Sequence, residues 1–132
     1  MSFPRRYPGS EAPAHVLELV QRLVPLLIEG EHPALVALRA QWPHARVREV
    51  EMTGHGFYAE LDVPPGVPLA DPPGFAGGDA TIWLEGAVQP SGCVLFVRSG
   101  RLATLEGYTY DERWPEDAVI RAIEAIFPVF PG

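Results

Sequence analysis

Cys93-Val94-Leu95-Phe96-Val97-Arg98-Ser99-Gly100-Arg101-Leu102-Ala103-Thr104-Leu105-Glu106-Gly107-Tyr108-Thr109-Tyr110 decides the fold class. Its first five residues are apolar on both faces, as expected of a central strand covered on both sides. Ser99-Gly100 supplies the backbone freedom of a tight hairpin turn. Beyond it, 101–110 alternates, which predicts Glu106, Tyr108 and Tyr110 on one face of a second strand. Strands joined by so short a turn are antiparallel, and the sheet is built outward from this pair.

Upstream, 80–88 (ATIWLEGAV) sets Ile82, Leu84 and Val88 against Trp83 and Glu85, and Gln89-Pro90-Ser91-Gly92 turns the chain. Residues 57–63 alternate well, with Phe57, Ala59, Leu61 and Val63 inward and Tyr58, Glu60 and Asp62 outward, a hairpin strand with one wet face. Residues 45–52 (ARVREVEM) do not alternate. If Val47 faces in, so does Glu49; if Val50 and Met52 face in, Arg46 and Arg48 join them. A bulge near Arg48-Glu49 resolves the conflict, and Thr53-Gly54-His55-Gly56 is the turn between the two strands.

The flanks read as helix. Val16, Leu17, Leu19, Val20, Leu23, Val24 and Leu27 form a broad stripe at helical spacing after the start signals Ser10, Glu11 and Pro13; Pro25 bends or ends it and Gly30 terminates it. A second helix runs from Pro33 to about Trp42. Downstream, Trp114-Pro115-Glu116-Asp117 followed by Val119, Ile120, Ile123 and Ile126 predicts a last helix. Residues 1–9 read as an irregular arm, 10–132 as one domain, and 127–132 as an extended apolar tail. The segment 64–78 (PPGVPLADPPGFAGG) holds nine prolines or glycines in fifteen positions, and predicts a long loop. The expected fold is α+β: a two-layer, mostly antiparallel five-stranded sheet with an N-terminal αα-hairpin and a C-terminal helix, order ααβββββα.

A chain of 132 residues buries about two-thirds of its extended surface, enough for one core without disulfides. Ten basic residues stand against 17 acidic, a net charge of −7, and every basic residue is arginine. An excess of carboxylates repels a polyphosphate backbone and an anionic bilayer, so neither nucleic acid nor membrane is an expected partner. One cysteine precludes an internal disulfide framework. No apolar run reaches spanning length and no secretory leader pattern opens the chain, which predicts a cytoplasmic protein. The absence of lysine and asparagine, with abundant Ala, Gly, Pro and Arg, points to a GC-rich bacterial genome.

The stretch 95–110, with Pro43-His44-Ala45-Arg46-Val47 upstream and Trp114-Pro115 downstream, resembles a group of small uncharacterised proteins from GC-rich bacteria that share an LFV-x-x-G-x-L-x-x-L-E hairpin, tyrosines and a Trp-Pro or Pro-rich tail. Many of them carry a cysteine-rich turn where this chain has Thr53-Gly54-His55-Gly56, so no metal or redox role carries over. The resemblance spans about half the chain. It implies a fold and a kind of host, and no activity.

Few residues suggest chemistry. Cys93 heads an apolar strand, where burial silences a thiol. His15, His32, His44 and His55 show no metal-ligand spacing, and no metal or cofactor is expected. Gly74 to Asp79 fails as a phosphate loop, for want of a lysine and a following helix. Asp111, Glu112, Glu116 and Asp117 read as capping and dipole partners of the last helix. What remains is an aromatic–acidic face, Trp83, Glu85, Glu106, Tyr108 and Tyr110, suited to a basic protein partner or to a second copy of the chain. The expected function is therefore a non-catalytic protein-interaction module, a toxin-neutralising (immunity-type) protein being one form. The alternative is a small-molecule-binding protein or enzyme, with loop 64–78 as a lid over a pocket containing His55 and Tyr58.

Overall fold

In the computed structural model, which describes residues 2–130, the chain runs β1 (Arg5–Pro8), α1 (Ala14–Leu27), α2 (Pro33–Gln41), β2 (Arg46–Met52), β3 (Gly56–Asp62), β4 (Phe75–Gly77), β5 (Asp79–Leu84), β6 (Gly92–Arg98), β7 (Arg101–Tyr108) and β8 (Ile120–Phe127). Six strands form one sheet in the order β1-β2-β3-β7-β6-β4, and β5 pairs with β8 in a separate ribbon. Every pairing is antiparallel. The expected β6–β7 hairpin turns at Ser99-Gly100 with Arg98 opposite Arg101; a bulge between Phe96 and Val97 then shifts the pairing by one, setting Phe96 opposite Thr104 and Leu95 opposite Leu105. The bulge expected in β2 is present, the register slipping between Val47 and Glu49.

The order ααβββββα is corrected in three places. The arm 1–9 contains β1, which pairs with β2 from Arg5–Met52 to Pro8–Glu49. The Pro/Gly segment 64–78 ends in β4, on the edge of the six-stranded sheet. The expected C-terminal helix is β8. Its spacing of three misleads because β8 is bulged twice against β5: from Asp79 to Thr81 the partner advances two residues while β8 covers the three from Phe127 to Glu124, and from Trp83 to Leu84 it advances one while β8 covers two. Each bulge inserts one residue, Ala125 taking a φ of 46°, so Ile120, Ile123 and Ile126 return to one side and pack on the core at a period that imitates a helix. Of the 127–132 tail, residues 131 and 132 lie outside the described residues. Val129 is buried and its N–H donates to Leu27 O at 2.8 Å, tying the chain back to the end of α1.

Both helices cover one face of the large sheet. In α1, Val16, Leu19, Val20, Leu23, Val24 and Leu27 are all fully buried, and Pro25 sits in the last turn, where it removes the helical bond to Gln21 O but has only two helical residues beyond it. They meet Val50, Phe57, Ala59, Leu95 and Leu105 in the core. Gly107 and Gly56 are glycines for want of space: a Cβ on Gly107 would sit 2.2 Å from the Phe57 ring, and one on Gly56 1.9 Å from Gly107 O.

Two polar knots organise the rest. Gln41, at the end of α2, is fully buried and binds backbone alone. Its Nε2 donates to Pro68 O (2.7 Å) and Gly100 O (2.8 Å), and its Oε1 accepts from Leu102 N–H (3.0 Å). Ala70 N–H also donates to Gly100 O, and Gly100 N–H to Pro73 O, so loop 64–74 is docked on the β6–β7 turn. At the opposite end of the sheet, Trp114 anchors the stretch between β7 and β8. Its N–H donates to Gly54 O, its indole Nε1–H donates to His15 Nε2 at 2.8 Å, and its ring meets Phe57 edge-on.

Candidate functional site

The sheet face away from the helices carries the polar half of the strand alternation. Register places Arg6, Glu51, Tyr58, Glu106 and Val94 on one rung across β1, β2, β3, β7 and β6, and Glu49, Glu60, Thr104 and Phe96 on the next. Four strands of seven or eight residues, edged by the four-residue β1 and about 4.8 Å apart, make a platform roughly 20–25 Å each way. These side chains are half-buried by one another, apart from the covered Thr104 and the exposed Arg6.

Tyr58 stands at its centre. The negative charge of Glu106 raises the phenol above its ordinary pKa, with smaller contributions from burial, the hydrogen bond to Glu106 and the charge of Glu51. Glu60 accepts a hydrogen bond from Thr104 Oγ1, which accepts one from Arg98. At the margins Arg6 pairs with Glu51, and Arg48 with Asp62 and Glu49. Among the described residues Glu60 and Glu106 take part in no ion pair within 4 Å, and Glu60 lies directly opposite Glu49. Like charges opposed across a sheet destabilise it, and Arg98 reaches Glu60 only through Thr104, so the middle of the platform holds negative charge without a direct ion pair.

The five residues expected on one aromatic–acidic face do not come together. Glu106 and Tyr108 belong to the platform. Tyr110 lies beyond the end of β7, its ring edge-on to Tyr108 at 5.5 Å. Burial raises the pKa of the Tyr108 phenol, helped by a hydrogen bond with Tyr110 and the charge of Asp79. Trp83 and Glu85 are elsewhere: Trp83 lies on the β5–β8 ribbon, its indole N–H donating to Glu124 at 3.2 Å, and Glu85 N–H donates to Val119 O. Alternation shows which residues share a face of one strand and not which sheet that strand joins.

His55 and Tyr58 do not share a lidded pocket. His55 is exposed in the β2–β3 turn, and Tyr58 lies on the open platform. The ring Nδ1–H of His55 donates to Glu112 O at 3.1 Å. Loop 64–74 is held at the Gly100 end of β7, away from the Tyr108 end where His55 sits. The acids after β7 have no helix to cap. Glu112 accepts from the N–H groups of Val88 and Gln89, Glu116 pairs with Arg5, and Asp117 acts electrostatically on His15. Strand pairing also brings in Glu49, Glu51 and Glu60. The outward parity of Glu60 is readable and that of Glu49 turns on the bulge, but the position of all three beside Glu106 depends on the non-local β3–β7 pairing.

Cys93 is buried, and burial, with the charge of Asp79, pushes its thiol up to about 12. It is expected to resist a thiol-specific disulfide reagent at pH 8 in the native protein and to react at once in denaturant, which absorbance at the released thiolate measures. No group of three metal-ligating side chains lies together among the described residues, and no helix among them is long and apolar enough to cross a membrane. Comparison with known proteins returns no matching family model, no matching curated protein and no matching solved structure.

Proposed function

We propose that the chain is a cytoplasmic, non-catalytic interaction module that docks a basic partner protein on the uncovered face of its six-stranded sheet. The observation that carries this reading is the pair Glu60 and Glu106, set around Tyr58 in the middle of an open platform and, among the described residues, without a cationic partner within ion-pair distance. A partner's arginine or lysine placed there forms charge-assisted hydrogen bonds and relieves the repulsion between Glu49 and Glu60. The tyrosine contributes rigid amphipathic area of the kind that anchors interfaces. The net charge of −7 steers a basic partner from a distance. A second copy would bring the same carboxylates to the same place, so a basic protein fits this face better than a homodimer.

The test is capture from host lysate by tagged wild type, by a Glu60→Arg/Glu106→Arg double variant, and by Glu29→Arg as a surface-charge control. The expected result is one stoichiometric partner held by wild type and control and lost by the double variant. A partner that survives the double reversal, or a wild type that captures nothing, overturns the reading.

A further inference from the structure

A cleft of about 260 Å³ opens between β1, the start of α1, the β2–β3 turn and residues 114–117. It lies on the helix side of the large sheet, since Arg5 and Tyr7 of β1 point opposite to Arg6. Three aromatic rings wall it, Phe3, Tyr7 and Trp114, and the carboxylates of Glu11, Glu116 and Asp117 line it with a single arginine, Arg5.

The polar atoms of this cleft are weighted toward acceptors. The Trp114 indole N–H is spent on His15, so the tryptophan offers its ring and no hydrogen. Arg5 is committed internally: one guanidinium nitrogen bonds Glu116 at 3.1 Å, another reaches Tyr7 Oη at 3.4 Å, and the group lies 4.9 Å from the Phe3 ring centre. That pairing neutralises Glu116 and leaves Glu11 and Asp117 without an ion-pair partner within 4 Å among the described residues. The one unmatched donor, the enclosed Arg5 Nε–H, finds no acceptor among the described residues and belongs to the guanidinium already held by Glu116 and Tyr7. Arg5 itself shows how the place receives a cation, with a ring beneath it and a carboxylate beside it.

We propose that this cleft binds a small organic cation, an ammonium or guanidinium group on a short body, with Glu11 and Asp117 taking the charge and the rings of Tyr7 and Trp114 taking the body. Aromatic faces attract cations more strongly where water is partly excluded. Three carboxylates against one arginine disfavour an anion. At about 30 Å³ per water the cleft has room for roughly nine such volumes, which suits a metabolite-sized amine rather than a folded protein. The site lies on the opposite side of β1 and β2 from the platform, so it stands or falls independently of the partner reading.

The experiment follows the Trp114 indole N–H by two-dimensional ¹⁵N NMR while agmatine, benzamidine or sodium acetate is added to the full chain. Saturable shifts with both cations and none with acetate are expected. Glu11→Gln and Asp117→Asn, both at exposed positions, should each weaken binding by up to ~5-fold, and Glu60→Gln on the platform should leave it unchanged. No saturable shift with either cation, an equal response to acetate, or undiminished affinity in both cleft variants overturns the proposal.

Discussion

Gln41→Ala is expected to lower the unfolding free energy by about 3 kcal/mol and the midpoint temperature by roughly 10 °C. The side chain is completely buried and makes three hydrogen bonds, all to main chain. Removing it strands the Leu102 N–H in a site where Leu102 is 1% exposed, and an orphaned buried donor costs about 1–3 kcal/mol. Gly100 O keeps its bond from Ala70 N–H, and the exposed Pro68 can turn its carbonyl to water, so these two acceptors suffer less. The remainder comes from the vacated volume and from loosening loop 64–74. Urea denaturation measures the total, and amide exchange at Leu102 and Ala70 locates it. Gln41→Glu separates the parts: its carboxylate still accepts from Leu102 but faces two carbonyls, which disfavours the charged form. The folded-state pKa of that glutamate is then raised, so the variant regains stability as pH falls. A Gln41→Ala loss under about 1 kcal/mol would mean that the loop is not held by this side chain.

Gln41 also marks a limit of reading from sequence. The end of α2 is legible, but nothing local says that one of its polar residues will be drawn inward, because the turn, the strand and the loop that Gln41 bonds are distant in the chain. The β6–β7 hairpin is readable for the opposite reason: turn chemistry at Ser99-Gly100, a run apolar on both faces before it and alternation after it are local and agree on two paired strands. The bulge at Arg48 was readable as a break in alternation. β8 was not, because two bulges gave its isoleucines a helical period; β-branched Ile120, Ile123 and Ile126, with the Val119 before them, were the signal for strand that the spacing outweighed.

The candidate site divides in the same way. Glu106 and Tyr108 share a face because a strand has a period of two, and that needed no tertiary knowledge. Sequence alone assigns Tyr58 to a pocket and Glu106 to a surface; the pairing of β3 with β7 puts them on one rung. Trp83 and Glu85 were grouped with them on alternation alone, although β5 leaves the large sheet for a partner 36 residues downstream of Leu84 in the pair with Ile120. Strand order follows from which strands can bury their apolar faces together, a property of the whole chain, and it decided which acids stand next to each other.

Trp114→Ala is expected to cost about 3–5 kcal/mol, the usual range for emptying a buried tryptophan site, and to remove a pH dependence that wild type shows. Trp114 is 4% exposed, packs edge-on against Phe57, and joins the stretch between β7 and β8 to α1 through His15. An indole N–H only donates, so His15 Nε2 is the acceptor and the imidazole is neutral with its proton on Nδ1. Burial holds the pKa of His15 below its ordinary value, against the opposing pull of the Asp117 and Glu18 carboxylates. Between the depressed folded pKa and the unfolded value near 6.5, the unfolded chain binds more protons than the folded one. This contribution is therefore fully present above about pH 6.5 and is lost as pH falls through the folded pKa, by at most about 1.4 kcal/mol per pH unit. His15→Gln keeps an acceptor for the indole in its side-chain oxygen but does not titrate. Urea midpoints from pH 8 to 5 should fall more steeply in wild type than in His15→Gln, and Trp114→Phe, which keeps the ring contact without the N–H, should lie between them in slope. Parallel curves for wild type and His15→Gln would show that the acid sensitivity comes from other groups, and that the His15–Trp114 bond does not couple the segment after β7 to proton binding.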